Sequence, residues 1–322
     1  MRLALLLLAA AAARAEVSGV VVNATTGKPQ AGSAVTLFKI DQNGPNAVDT
    51  IRSEADGAFK FPNEAQGPVL LQAVHEGVVY SKMLPPGRPT TGVTVEVFNS
   101  SPKPGEARVA THMMLLEPMG GELSVSESVI WNNPGKTAYY EAKDGAMRFY
   151  LPEAAGGKVK VSVSAPGSIP IQRGAEKTSQ PGIYKVDYAV KPGETRFDLS
   201  YTVPMERPAK FAGRVLHKGS PVRIVAPEGV TLKGAALATL GTEPQTKATI
   251  YEVSGDRFEV EIEGTGTLRG ASAVENEEED GGAGLQQIRP RIYVRYREIL
   301  VLAALALGAG FALLYRREAL KS

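Results

Sequence analysis

Apolar side chains in this chain recur at every second position, in short runs that glycine or proline soon interrupts. Phe197, Leu199, Tyr201 and Val203 alternate without a break, as do Val159, Val161 and Val163. Phe258, Val260 and Ile262 alternate with Glu259, Glu261 and Glu263. A period of two puts one residue set on a single face of an extended strand, whereas a helical face needs a spacing of three or four. The chain is therefore expected to be all-β, built from half-buried strands with one apolar face each. Its 34 glycines and 22 prolines in 322 residues supply the turns. That content lies above the roughly 12% of an average chain and below the roughly 25% that marks disorder.

The runs group into three regions. Residues 16–98 hold about seven short strands, the pattern of a sandwich. They include Val17 to Val22, Ser33 to Ile40 with Val35 and Leu37 inward, and Ala58 to Phe61 after the Asp56-Gly57 turn. Residues 41–49 read as a polar loop. Residues 106–204 read as a second sandwich, with Leu123, Val125 and Val129 on one face and a hairpin around Lys143-Asp144-Gly145. Residues 208–270 read as a smaller β unit, too short to bury much core alone, so packing against the second sandwich is expected.

Within the first region, Gly19-x-Val21, Thr26-Gly27-Lys28-Pro29, Val35-x-Leu37 and Asp56-Gly57-x-Phe59-x-Phe61 stand in order. This pattern resembles the carboxypeptidase regulatory-like domain, a transthyretin-like or CnaB-like sandwich of bacterial envelope proteins. The resemblance covers about a quarter of the chain and implies a stalk, spacer or binding module, since fold does not fix activity. The zinc peptidase domain that names the family has no counterpart here. Its Lys–Asn isopeptide bond, found in some CnaB domains, is not expected, because the first strand carries no lysine.

The two ends place this β region relative to a membrane. Arg2, the apolar run Leu3 to Ala13 and the small residues Ala13 and Ala15 read as a signal peptide, residues 1–15, cleaved after Ala15. Ile299 to Tyr315 carries no charge and is bounded by Arg297-Glu298 and Arg316-Arg317. Seventeen helical residues span about 25 Å, near the lower limit for a bilayer core. We expect a transmembrane helix at 299–315, a cytoplasmic tail at 316–322 and the bulk of the chain periplasmic or extracellular. Ala304, Gly308 and Ala312 lie four apart, a spacing that lets a second helix approach closely and would allow a dimer. Residues 271–298 read as an acidic linker, with Glu275, Glu277, Glu278, Glu279 and Asp280, followed by a basic juxtamembrane segment with Arg289, Arg291, Arg295 and Arg297. A calcium loop would need spaced carboxylates and a fixed turn; this is a plain acidic run. The expected fold class is thus all-β, tandem β-sandwich domains of immunoglobulin-like or transthyretin-like type followed by one C-terminal membrane helix.

The chemistry-bearing residues are few. There is no cysteine, which removes disulfides, thiolate metal sites and cysteine nucleophiles. Lys and Arg total 36 against 34 Asp and Glu, a net +2 that suggests no nucleic-acid partner. His75, His112 and His217 fall in three separate segments without metal-ligand spacing and read as polar strand-edge residues. Gly167-Ser168 follows a strand but precedes no helix, so it makes no nucleophile elbow. Glu259, Glu261 and Glu263 share one solvent face. Trp131, the only tryptophan, ends a strand, and Tyr139 and Tyr140 follow on the next; they are either a partner-binding aromatic cluster or a plug at the sandwich end. Asn23-Ala24-Thr25 and Asn99-Ser100-Ser101 would be glycosylation acceptors in a eukaryote. No enzyme, cofactor or metal is expected. The expected role is a non-catalytic, membrane-anchored envelope protein that binds an envelope protein or polymer. An accessory subunit of a membrane complex and a carbohydrate-binding or hydrolytic ectodomain are the alternatives.

Overall fold

The computed structural model describes residues 16–42, 44–62, 67–206 and 208–268. The expected signal peptide, linker, membrane helix and tail lie outside the described residues, and so do Ala304, Gly308 and Ala312. Among the described residues there are twenty-four strands and one short 3-10 turn, and no helix is long and apolar enough to cross a membrane. All described residues belong to one compact unit.

Residues 16–98 form a sandwich of two four-stranded sheets. In the first, Val17–Asn23 pairs antiparallel with Ala58–Phe61 and Lys28–Pro29 on one edge and parallel with Val93–Val97 on the other. The second is a meander in the order Gly44–Arg52, Ala34–Asp41, Val69–His75, Val78–Leu84. Val17, Val21, Phe61 and Val97 from one sheet and Val35, Leu37, Leu71 and Ala73 from the other are fully buried between them. The polar loop expected at 41–49 is instead the edge strand Gly44–Arg52, which turns back on Ala34–Asp41 with Asp41 opposite Gly44. Its side chains are mostly exposed, so no apolar period marks it as a strand.

The remaining residues are organised by one eight-stranded sheet. Its order is Ile171–Arg173, Lys160–Ser164, Gly193–Pro204, Glu122–Asn133, Arg108–Met119, Val222–Ala226, Thr249–Val253, Leu237–Thr242. Arg108–Met119 and Val222–Ala226 run parallel, His112 opposite Val222, so the sheet continues without interruption from the second region into the third. Two three-stranded sheets complete the core. One is Met147–Tyr150, Ile183–Val186, Ala175–Lys177; the other is Lys210–Arg214, Arg257–Gly264, Val230–Lys233. Both contribute to a single apolar core with the long sheet, through Phe149 and Val186 on one side and Phe211, Leu232 and Val260 on the other. The hairpin expected around Lys143-Asp144-Gly145 does not form. A turn is present, Gly145 N–H donating to the Glu141 carbonyl at 2.9 Å, but its flanks pair elsewhere. Ala138–Tyr139 joins Ser100–Ser101, and Met147–Tyr150 joins Ile183–Val186.

That Ser100–Ser101 pairing also fastens the first sandwich to the rest. Ala138 N–H donates to the Asn99 carbonyl at 2.8 Å and Tyr140 N–H to the Ser101 carbonyl at 2.9 Å, and Ala138 and Ala189 are buried in the first sandwich's core. At this junction the Asn23 amide donates to Gln30 Oε1 (2.9 Å) and Asn99 Oδ1 (2.7 Å). Asn23 is buried, so its amide serves the fold and is closed to glycosylation in the folded chain.

Candidate functional site

The outer face of the eight-stranded sheet carries a trough whose floor is set by register. In the middle of Glu122–Asn133 the outward residues are Ser124, Ser126 and Ser128, all short, with Glu122 before them and Ile130 and Asn132 after them on the same face. One row across the sheet reads Leu115, Ser126, Ser200, Lys160; the next reads Met113, Ser128, Asp198, Ser162, Gln172. Hydroxymethyl side chains in the middle leave a depression between the taller Met113 and Leu115 on one flank and Lys160, Gln172 and Arg196 on the other. The depression encloses about 360 Å³, within the range of small-ligand sites. Arg196 Nε donates to Asp198 Oδ1 at 2.8 Å with both side chains exposed, a pair worth little in stability but well placed to recognise a polar partner. Seen chemically, the face offers an apolar flank, a floor of hydroxyl donors and acceptors, and a rim in which two cations outnumber one carboxylate. No aromatic side chain is among the residues that line it.

The opposite, inward face of the same strands holds polar groups that the alternation of Leu123, Val125 and Val129 leads past. Glu127 occupies an inward position in that series, and His112 does so in the neighbouring strand beside Met114 and Leu116. Their side chains are 4% and 5% exposed, and His112 Nε2 lies 2.6 Å from Glu127 Oε1. Glu127 Oε2 and the Tyr201 hydroxyl have no hydrogen-bond partner among the described residues. Burial, then the Glu127 charge, pushes the Tyr201 hydroxyl well above its ordinary pKa. His217 sits nearby, its Nε2 within 2.8 Å of the Arg148 carbonyl oxygen and 3.0 Å of the Arg148 amide nitrogen; the tautomer decides which bond forms. Burial pulls the His217 imidazole down to about 4, so it is neutral at neutral pH.

None of the three histidines stands as a plain strand-edge residue. His112 is central and buried, His217 is in the core seam, and His75 Nε2 lies 3.1 Å from Asn99 Oδ1 in the polar junction described above. Among the described residues no group of three or more His, Asp or Glu could hold a metal ion. Trp131 is 4% exposed and packs edge-on against His217, centroids 5.0 Å apart, and against Tyr139 at 5.8 Å. The tryptophan is thus a core plug with no surface to offer a partner. Tyr139 is half-buried beside it, and Tyr140, also half-buried, donates from its hydroxyl to Asp187 Oδ1 at 3.1 Å. The three do not form one exposed cluster. The trough and the His112–Glu127 pair were both missed in the sequence. A readable sign existed for the pair: a polar residue at an inward position of an otherwise apolar alternation, in each of two strands.

No protein-family model and no curated protein sequence matches the chain. Among solved structures, the M1 zinc metallopeptidase from Deinococcus radiodurans is similar at 15% identity and a TM-score of 0.26 over 49% of this chain. A variant of that enzyme bound to a Tyr-Ser-Ala substrate is similar at 14% identity and a TM-score of 0.27. The chain spans 42% of each of those proteins. A likeness this slight carries no argument about fold or activity.

Proposed function

We propose that the chain is a non-catalytic, membrane-anchored envelope protein that presents β-sandwich domains outside the cytoplasm and grips a partner protein on the outer face of its long sheet. In this reading residues 1–15 direct export, the uncharged run 299–315 anchors the chain with the 316–322 tail inside, and the 16–98 sandwich is of the carboxypeptidase regulatory-like kind. The observation that carries the reading is the hydroxyl-floored trough, in register across Arg108–Met119, Glu122–Asn133, Gly193–Pro204 and Lys160–Ser164. Its makeup is that of a recognition surface: Met113 and Leu115 take an apolar side chain, while Lys160 and Arg196 take an acidic one. The partner is therefore a protein segment that sets an apolar residue beside a carboxylate, and a sugar polymer, which favours aromatic platforms, is the poorer fit.

The test is site-specific photo-crosslinking of the full chain in its native membranes. A photo-reactive residue at Ser128, in the trough floor, should trap one envelope protein. The same probe at Lys28, exposed on the first sandwich, should not trap it. Arg196→Glu should cut the Ser128 yield several-fold by reversing the rim charge. Equal trapping from both positions, or a yield unmoved by Arg196→Glu, defeats the proposal.

A further inference from the structure

Away from the trough, the junction of the first sandwich and the long-sheet body encloses a second set of cavities, and Lys191 stands in the wall of three of them, of about 340, 120 and 80 Å³. The Lys191 side chain is buried, 5% exposed. Its Nζ donates to the Tyr188 hydroxyl at 3.2 Å and lies 5.3 Å and 5.1 Å from the ring centroids of Tyr80 and Tyr188. The Arg173 guanidinium is 5.4 Å from the same Tyr188 ring. Among the described residues neither cation makes an ion pair.

A buried cation without a counter-charge is costly, and two ring faces offset only a part of that. The 80 Å³ cavity shows what is missing. Its polar lining is Arg173, Lys191, Gln72, Ser81, Ser168 and Tyr188, with no carboxylate. The cavity has room for more than one water, and so for one small oxyanion. We propose that this cleft binds a small oxyanion, a carboxylate or a phosphate group, held between Lys191 and Arg173 where the first sandwich meets the long-sheet body. The ligand would touch Ser81 of the first sandwich and Ser168 of the long-sheet body, so binding would clamp the junction.

The site carries its own pH signature. Burial first, and Arg173 second, lower the Lys191 ammonium from 10.5 to about 8. A bound anion favours the charged amine and raises that value again. Affinity is therefore full below pH 8 and falls by up to tenfold per pH unit above it, as the free site loses its proton. The other groups facing the cleft are Arg173, Lys82, Glu96 and Asp187, and the tyrosines Tyr80, Tyr140 and Tyr188, whose hydroxyls burial shifts upward and so keeps neutral.

Calorimetric titration of the purified full chain tests this, with inorganic phosphate and acetate as separate probes against chloride at constant ionic strength. We expect saturable 1:1 binding of at least one probe, at least tenfold weaker at pH 9.5 than at pH 7.5. Binding of phosphate alone assigns a phosphate group, and binding of acetate alone assigns a carboxylate. Lys191→Met should abolish binding. Arg173→Gln, on an exposed side chain, should weaken it at least tenfold with the near-ultraviolet circular dichroism unchanged, which keeps the test decisive should Lys191→Met fail to fold. No saturable binding of either probe, or binding that is flat with pH and indifferent to Arg173→Gln, overturns the proposal.

Discussion

Glu127 and His112 sit in an environment far from the one their chemistry prefers. Both lie in the core, 2.6 Å apart, and one Glu127 oxygen has no partner among the described residues. Pairing inside a low-dielectric core offsets desolvation only when every lone pair is used, so such a pair adds little net stability. Removing one member is another matter, because the survivor is left buried alone. Glu127→Leu is therefore expected to destabilise by about 3–5 kcal/mol, and adding His112→Leu to bring stability back to within about 1 kcal/mol of the parent. Urea unfolding of the singles and the double measures this, and additive losses would show that the two side chains act independently. The same two positions mark what a single residue tells. A polar residue inside an apolar alternation was visible in Leu123, Val125, Glu127, Val129, but its partner sits fifteen residues away and only pairing places it there. Trp131 repeats the lesson: at a strand end it can be read as plug or as surface anchor, and the His217 ring that seals it arrives from the third region.

At the scale of elements, alternation identified the strands that bury a face, and it failed where a strand buries none. Gly193–Pro204 and Arg257–Gly264 present one apolar face each and were legible. Gly44–Arg52 and Leu237–Thr242 are exposed edge strands with no apolar period to read. The false hairpin at 143–145 has another cause: a turn can be seen locally, whereas the partners of its flanks lie far off in sequence. One element-level contact was half-visible, in the glycine of Gly19-x-Val21. A Cβ at position 19 would stand 1.8 Å from the Val93 carbonyl oxygen, so Val17–Asn23 and Val93–Val97 can pair as they do only without a side chain there. Gly27 is the useful contrast, since it has φ +72° and open space around its Cβ position. Gly19→Ala should cost about 3 kcal/mol or more by forcing the two strands apart. Gly27→Ala should cost only about 1–2 kcal/mol, the penalty of a left-handed backbone. Chemical denaturation of the two variants compares them, and a Gly19→Ala chain as stable as the Gly27→Ala chain would deny the close approach.

Across the whole molecule, the sequence divides residues 106–268 at a polar stretch near 205–209, whereas hydrogen bonding does not divide them at all. Arg108–Met119 is paired on one side to Glu122–Asn133 and on the other to Val222–Ala226, and one apolar core runs from Ala107 to Ile262. Length hinted at this dependence, because some sixty residues enclose little core, but a parallel pairing joined by a connection of about a hundred residues leaves no local trace. The consequence is cooperative. Ending the chain after Pro204 strips a paired neighbour from Arg108–Met119, uncovers Met114 and Leu116, and removes His217 from against Trp131. Such a chain, residues 16–204, should keep extended secondary structure and one sharp urea transition from residues 16–98, yet bind a hydrophobic dye and show no second sharp transition from residues 106–204. Residues 16–98 alone should keep their sharp transition. Among the described residues, their two sheets enclose a core that draws from beyond residue 98 only the buried Ala138 and Ala189 and the half-buried Tyr140 packed against it, so they should unfold cooperatively at reduced stability. If the 16–204 chain instead gave two separate sharp transitions, the long sheet would be a seam between independent domains, and the trough, whose flank Arg108–Met119 is held in place by Val222–Ala226, would survive loss of the third region. A single sharp transition, from residues 16–98 alone, places that flank under the control of residues that never touch the trough.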